Sequence, residues 1–196
     1  MHDVLSRNVY VFKEHVGMFK AANNYDVFDP QTGELILECR EDELGFLTKA
    51  LRFTKFKRMT PFDVQIRTPS GEPVVRVCRD FSYIWSVVDV LDENDEPLGT
   101  FRQRLIWIGG TAFKVLDARG AHLCDLKGSF AAWNFRFVRD GIEFARVTKK
   151  WAGLGKELFT SADTYALEIS EDVPPDSPLR RLILGAVICV DMVLKE

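Results

Sequence analysis

The stretch PLRRLILGAVICVDMVLKE, residues 178–196, decides how the rest of the chain has to fold. From Leu182 to Val190 every residue is apolar or glycine, and three more apolar residues, 192–194, follow a single acid, Asp191. A helix with this composition is apolar on every side. It must therefore be kept from water, either inside a protein core or in lipid.

The length of the helix distinguishes these two environments. Asp176 and Ser177 are N-cap candidates and Pro178 suits the first helical position, which predicts a helix over about residues 178–195. Its apolar part spans 13 residues, or about 20 Å, whereas the ~30 Å hydrocarbon core of a bilayer needs about 20 residues. We therefore expect a buried core helix, with Asp191 paired to an arginine or to backbone amides.

The remainder of the chain alternates apolar and polar residues between turn signals, the pattern of half-buried β-strands. An aspartate or another charged residue, followed by a turn that ends in glycine, recurs at Gly33, Gly71, Gly120 and Gly141. Aspartate accepts hydrogen bonds from nearby backbone amides and glycine tolerates positive φ, so both suit hairpin turns. We predict a meandering antiparallel sheet, interrupted by a short helix across Asp42–Phe53 and a loop at Trp151–Lys156.

A sheet that encloses a helix has to be large. The side chains of an eight-stranded barrel already fill its interior. A helix is ~10 Å across, so a sheet that encloses one needs more than eight strands. About 176 residues precede the helix, enough for ten to twelve strands of the usual ~3–10 residues. The predicted fold is mainly β: a closed antiparallel barrel wrapped around a buried hydrophobic C-terminal α-helix, forming a single domain over residues 1–196.

Composition narrows the class of protein. Of the 196 residues 46% are hydrophobic and 28% charged, which excludes a disordered chain, and the net charge of −3 supplies no basic field for nucleic acid. The four cysteines are dispersed, as in proteins of a reducing compartment. The first residues are charged and lack the apolar stretch of a secretory signal. We expect a cytoplasmic protein that does not bind nucleic acid.

Motifs of catalysis are missing from the sequence. The three histidines lack metal-ligand spacing, and neither HExxH nor GxSxG occurs. The segment Gly153–Lys156 differs from a phosphate-binding loop, which would need glycine at Lys150 and serine or threonine at Glu157. The prediction is a protein without catalytic residues, and so not an enzyme.

Two basic segments contain aromatic residues and are candidates for binding anionic lipid. They comprise Lys49, Arg52, Lys55, Lys57 and Arg58, and then Lys149, Lys150, Trp151 and Lys156. Basic side chains near an anionic leaflet contribute ~1 kcal/mol each, and tryptophan favours the headgroup level. In the alternative interpretation both segments are solvated connections and Trp151 closes an end of the barrel.

Acidic residues before the helix raise the possibility of a calcium site. Asp163 and Glu168 are the candidate ligands. Calcium takes six to eight oxygen ligands, and the ligand order of an EF-hand is missing here. The alternative is a solvated acidic strand and loop that favours the N-terminus of the following helix. Apart from calcium, no cofactor is predicted.

The chain resembles the phospholipid scramblase and LURP-one-related family, within the superfamily of the tubby C-terminal domain. The residues that carry the resemblance are Asn8–Phe12, Lys149–Gly153, Glu157–Tyr165 and the apolar helix with Asp191. The resemblance implies a twelve-stranded barrel around a hydrophobic helix. It also implies calcium-triggered mixing of phospholipids between leaflets, or binding of phosphoinositides. Scramblases carry an acid at the position of Ser161, so only Asp163 matches their acidic pair.

These observations predict a non-enzymatic, scramblase-like domain that binds anionic phospholipid headgroups. We expect it in the cytoplasm and, when bound, peripheral at the inner face of the membrane, with a role in phospholipid scrambling. The alternative is a soluble module that binds a protein or a small ligand and has no membrane role.

Overall fold

The structure, a computed structural model, describes residues 3–15, 24–41, 59–82, 84–104, 111–129, 133–149 and 164–194. Within these residues twelve β-strands and one α-helix follow a 3₁₀ turn at Asp3–Ser6. The strands are β1 Val9–Glu14, β2 Tyr25–Phe28, β3 Leu35–Arg40, β4 Phe62–Arg67, β5 Pro73–Arg79, β6 Val87–Leu91, β7 Pro97–Arg104, β8 Thr111–Asp117, β9 His122–Ser129, β10 Asn134–Arg139, β11 Ile142–Thr148 and β12 Thr164–Ile169. The helix, α1, spans Pro178–Leu194.

Each strand pairs antiparallel with its neighbours in the chain, and β1 pairs with β12 to close the barrel. The closing register runs from Val9 opposite Glu168 to Lys13 opposite Thr164. Closure leaves no strand edge open for pairing with another molecule. The predicted closed antiparallel barrel is confirmed, with the upper number of the ten to twelve strands expected.

Alternation of strand direction gives the barrel two different ends. We call the end at which the odd-numbered strands β1 to β11 begin the turn end, and the end at which they finish the far end. The turn end carries the five connections β2–β3, β4–β5, β6–β7, β8–β9 and β10–β11. Helix α1 follows β12, which finishes at the turn end, and so α1 runs from the turn end toward the far end.

Hairpin chemistry at the turn end is as the sequence predicts. The four turn glycines have φ between 72° and 91°, a region that side chains with a Cβ rarely adopt. Asp117 Oδ1 accepts hydrogen bonds from the backbone N–H groups of Arg119, at 2.9 Å, and Ala121, at 2.8 Å. Asp29 and Asp92 bind the backbone of their own turns in the same way. The predicted helix at Asp42–Phe53 and loop at Trp151–Lys156 lie outside the described residues.

Ser177 caps the N-terminus of helix α1: its Oγ accepts a hydrogen bond of 3.2 Å from the N–H of Leu179. Its apolar residues from Leu182 to Val190 are buried all round, and the helix contacts β12 on one side and β5, β6 and β7 on the other. A Cβ added to Gly185 would lie 3.0 Å from Val77 Cγ2, so glycine brings the helix close to the wall. The buried core helix is confirmed, and no helix within the described ranges is long and apolar enough to cross a membrane.

Arg180, in the first turn of α1, is 1% exposed although it carries a charge. Its Nη2 donates to the carbonyl of Val173 at 2.5 Å and to Asn8 Oδ1 at 3.0 Å, and its Nη1 donates to the carbonyl of Arg7 at 2.7 Å. Carbonyl dipoles therefore replace water around the guanidinium. The same bonds attach the start of the core helix to the residues that precede β1.

Replacing Arg180 by methionine should lower the free energy of unfolding by about 2–4 kcal/mol, because several buried carbonyls lose a charged donor. Arg181→Met is the matched control. Arg181 forms a partly exposed ion pair with Glu93 at 2.7 Å, so its loss should cost under ~1 kcal/mol. Urea unfolding of both variants measures the difference, and equal losses would contradict the role assigned to Arg180.

Candidate functional site

The strands that flank the two predicted basic segments in sequence meet those segments with their far-end termini. Residues 42–58 stand between the end of β3 at Arg40 and the start of β4 at Phe62, and residues 150–163 stand between β11 and β12. The following predicted residues lie outside the described part of the chain: Lys49, Arg52, Lys55, Lys57, Arg58, Lys150, Trp151, Lys156 and Asp163. The described strand ends that flank both segments share one end of the barrel.

Lys149 is the predicted basic residue that the structure describes. Its Nζ lies 4.4 Å from the ring centroid of Trp133 and 5.1 Å from that of Tyr165. Its backbone N–H donates to the carbonyl of Trp133 at 3.3 Å. A cation over aromatic faces gains ~0.5–2 kcal/mol. The ammonium group of Lys149 is thus held against the barrel wall at the far end.

A buried acid lies beneath these aromatic rings. Asp191, 3% exposed, accepts a hydrogen bond at Oδ2 from Tyr25 OH and another at Oδ1 from Tyr165 OH, each 2.5 Å long. Burial raises the pKa of Tyr25 well above its ordinary value, and the charge of Asp191 raises it further. The phenol therefore stays protonated and donates. The sequence interpretation had considered an arginine or backbone amides as partners of Asp191, whereas these two partners are tyrosines.

Tyr165 joins the surface lysine to the core helix. Its ring lies 4.8 Å from that of Trp133, beside Lys149, and its hydroxyl binds Asp191. Both tyrosines stand at the starts of their strands, Tyr25 in β2 and Tyr165 in β12. The C-terminal part of α1 is thereby fixed at the far end of the barrel.

Sequence reasoning missed a basic area on the outer wall of the barrel. Arg102 of β7 stands directly opposite Lys114 of β8, and Arg104 lies two residues further along β7. Arg102 and Arg104 are exposed and Lys114 is partly exposed. Alternation along each strand predicts only that such residues face outward, whereas their proximity depends on strand register.

The structure describes one of the two calcium candidates, Glu168. It lies on β12 opposite Arg146 of β11, and both line a groove of about 310 Å³ with Glu143 and Ser170. Hydrogen bonding to Glu143 holds the pKa of Arg146 above its ordinary value, and the charge of Glu168 contributes. In the described ranges, no three metal-ligating side chains gather into a group. Calcium binding at Asp163 and Glu168 stays a prediction.

Comparison with known families agrees with this architecture. A family model described as Scramblase matches residues 6–196. The chain belongs to the scramblase family. No curated protein and no solved structure matches it significantly. Because the family match extends from before β1 to the end of α1, the scramblase assignment covers the barrel and its core helix together.

In this scramblase-family barrel, Tyr25→Phe or Tyr165→Phe should each cost about 1.5–3 kcal/mol, because each removes a hydrogen bond to a charged acceptor. Tyr10→Phe is the control. Its hydroxyl donates to the carbonyl of Val4 at 2.8 Å and lies beside Arg180, away from Asp191, so the cost of Tyr10→Phe should not change when Asp191 is replaced. The measurement is urea unfolding.

A double-mutant cycle with Asp191→Asn tests whether the tyrosines act through the carboxylate. The cost of Tyr25→Phe should fall by about 1 kcal/mol or more in the Asp191→Asn background. Additive losses would show that the tyrosine hydroxyls and the Asp191 side chain contribute to stability independently of each other.

Proposed function

We propose that the protein is a non-enzymatic domain that binds anionic phospholipid headgroups at a membrane surface. The residues proposed to bind lipid are Lys49, Arg52, Lys55, Lys57, Arg58, Lys149, Lys150, Trp151 and Lys156. The observation that carries the proposal is the position of the strand ends flanking both basic segments, at the same end of one closed barrel. Two segments attached to one end can engage one surface together.

The strength of the electrostatic attraction to an anionic membrane depends on how far nearby acids neutralise the basic segment. The region Asp26–Glu43 contains seven acids and one base, which could weaken the field of the following basic segment. Several of these acids are paired within the barrel: Arg40 binds Asp26 at 2.7 Å and Glu38 at 2.9 Å, and Arg7 binds Asp29. With ~1 kcal/mol for each basic side chain near an anionic leaflet, a salt-sensitive peripheral contact is reasonable.

A role in phospholipid scrambling belongs to the same proposal. Helix α1 is enclosed by strands, so it offers headgroups no polar path through hydrocarbon. Any transfer between leaflets therefore requires either that the helix leave the core or that the bound barrel perturb the bilayer. The inner face of the plasma membrane is the proposed location, because anionic lipids concentrate in the cytoplasmic leaflet.

Cosedimentation with vesicles tests lipid binding. Binding should rise with the fraction of phosphatidylserine and fall with salt, because both alter the electrostatic attraction. The variant Lys55→Glu/Lys57→Glu should bind about tenfold more weakly or worse, since two charges worth ~1 kcal/mol each are reversed.

Arg119→Glu is the control, since it reverses one exposed charge in the β8–β9 hairpin at the turn end and should bind as the unaltered protein does. Failure of the unaltered protein to sediment at low salt would contradict the proposal. The alternative, a soluble ligand-binding module, would then be examined at a groove of about 650 Å³ lined by Lys127, Arg136 and Arg139.

Calcium binding through Asp163 and Glu168 is proposed as a second property, on the family resemblance. Calorimetric titration with calcium should give heat that Glu168→Gln reduces and Glu96→Gln leaves unchanged, because Glu96 is an exposed acid just before β7 in another hairpin of the turn end. If millimolar calcium produces no heat of binding, the proposed calcium site is wrong.

A further inference from the structure

Large apolar side chains are exposed in the connection between β5 and β6 and at the first residue of β6, at the far end of the barrel. The exposed fractions are 51% for Phe81, 78% for Ile84, 47% for Trp85 and 39% for Val87. Isolated apolar residues are common on protein surfaces, but a contiguous group usually marks an interaction site. We call these four residues the apolar tip.

Buried polar contacts hold the backbone of the apolar tip in place. Arg79, 4% exposed, donates from Nη1 to Ser86 Oγ at 3.1 Å and from Nη2 to the carbonyl of Thr60 at 2.6 Å. The guanidinium also stacks on the ring of Phe62, 4.9 Å from its centroid. A charged group is thus buried to fix the base of this connection.

Further hydrogen bonds join the connection to β7 and to Met59, three residues before β4. Ser86 N–H donates to Gln103 Oε1 at 3.0 Å, and Gln103 N–H donates to the carbonyl of Ser86 at 2.9 Å. Ser82 Oγ donates to the carbonyl of Trp85 at 2.7 Å, and Ser82 N–H donates to the carbonyl of Met59 at 3.2 Å. The backbone is satisfied by protein groups while the apolar side chains face solvent, so their exposure is a property of the fold.

Basic residues adjoin the apolar tip on the outer wall. Val87 stands opposite Arg102, which stands opposite Lys114, and Arg104 is two residues further along β7. Within the part of the chain that the structure describes, no ion pair involves these three cations. Like charges directly opposite each other destabilise a strand pair.

Acids also face these cations. Asp125 of β9 stands opposite Lys114 but binds His122 and Lys127, and Asp89, two residues beyond Val87, accepts a hydrogen bond from Thr100. These two acids have other partners, so the three cations can contact an external anion.

We propose that the apolar tip inserts into the headgroup region of an anionic leaflet, while Arg102, Arg104 and Lys114 contact lipid phosphates. This inference rests on the proposed lipid-binding function and specifies which part of the barrel enters the membrane. Apolar side chains next to basic ones are the combination that holds peripheral proteins in the interface, and tryptophan prefers that depth. The apolar tip and the flanks of the two basic segments share the far end, so one orientation brings all of them to the bilayer.

An environment-sensitive fluorophore at Ile84→Cys tests insertion. The native thiols should react with a maleimide at pH 7 far more slowly than the new one: Cys39, Cys124 and Cys189 are fully buried, and burial raises the pKa of the partly exposed Cys78 to about 11. Labelling of the protein without the new cysteine measures the background. Labelled Ile142→Cys is the matched control, because Ile142 is 56% exposed and begins β11 at the turn end.

With vesicles of phosphatidylcholine and phosphatidylserine, the label at position 84 should shift to the blue, brighten severalfold and be quenched by nitroxide lipids. The label at position 142 should do none of these. In parallel, Ile84→Asp should weaken vesicle binding about tenfold or more, because burying an isoleucine side chain contributes at least that factor. Ile142→Asp should bind normally, and both variants should unfold at the midpoint of the unaltered protein.

The outcomes separate this inference from the proposed function. If the unaltered protein binds anionic vesicles in a salt-dependent way but the label at 84 stays silent and Ile84→Asp binds normally, insertion is overturned and headgroup binding stands. The apolar tip would then be a surface for a protein partner. If the unaltered protein does not bind vesicles, both proposals fail.

Discussion

A helix that is apolar on every side cannot remain in water, and the barrel is the form in which this chain satisfies that constraint. The enclosing sheet must be wide enough for a helix and closed enough to exclude solvent, which twelve antiparallel strands achieve. Short hairpins on one end let the chain turn back after each strand without leaving the wall. Strand number, closure and meander order all follow from the need to surround residues 182–193.

Apolar contacts alone would leave the position of a smooth helix along the barrel axis weakly determined. Two buried polar groups remove this freedom. Arg180 binds the residues before β1 near the turn end, and Asp191 binds Tyr25 and Tyr165 at the far end. If α1 slid or rotated, a charged group would lose its partners inside the core, which would cost several kcal/mol of stability. These groups therefore determine where the helix stops and which face meets which strand, and the aromatic contact of Lys149 continues the connection to the surface.

Local signals made much of this fold predictable. The N-cap at Ser177, the glycines with positive φ and the period-two strands each depend on neighbours within a few residues. The partners of Asp191 were not predictable, because Tyr25 is 166 positions away and nothing in its local pattern marks it as a donor. The juxtaposition of Arg102 with Lys114 likewise arises only once register is known. Of the nine residues predicted to bind lipid, the structure describes Lys149 alone. The case for the other eight rests on their basic or aromatic side chains and on the strand ends that flank them.

The occupied interior determines where recognition can take place. Barrels that bind small ligands inside need an open lumen, whereas here α1 takes that position and its side chains pack against the wall. Recognition is left to the outer wall and the two ends. The turn end consists of tight hairpins whose aspartates accept hydrogen bonds from the backbone of their own turns. At the far end, the buried Arg79 binds Ser86 and so holds the connection that carries the exposed apolar side chains. Cations without acidic partners among the described residues lie beside that connection. Both ends therefore contain stabilising polar contacts, but the apolar tip and the cations without acidic partners among the described residues lie toward the far end, which is the arrangement that the proposed contact with an anionic membrane surface requires.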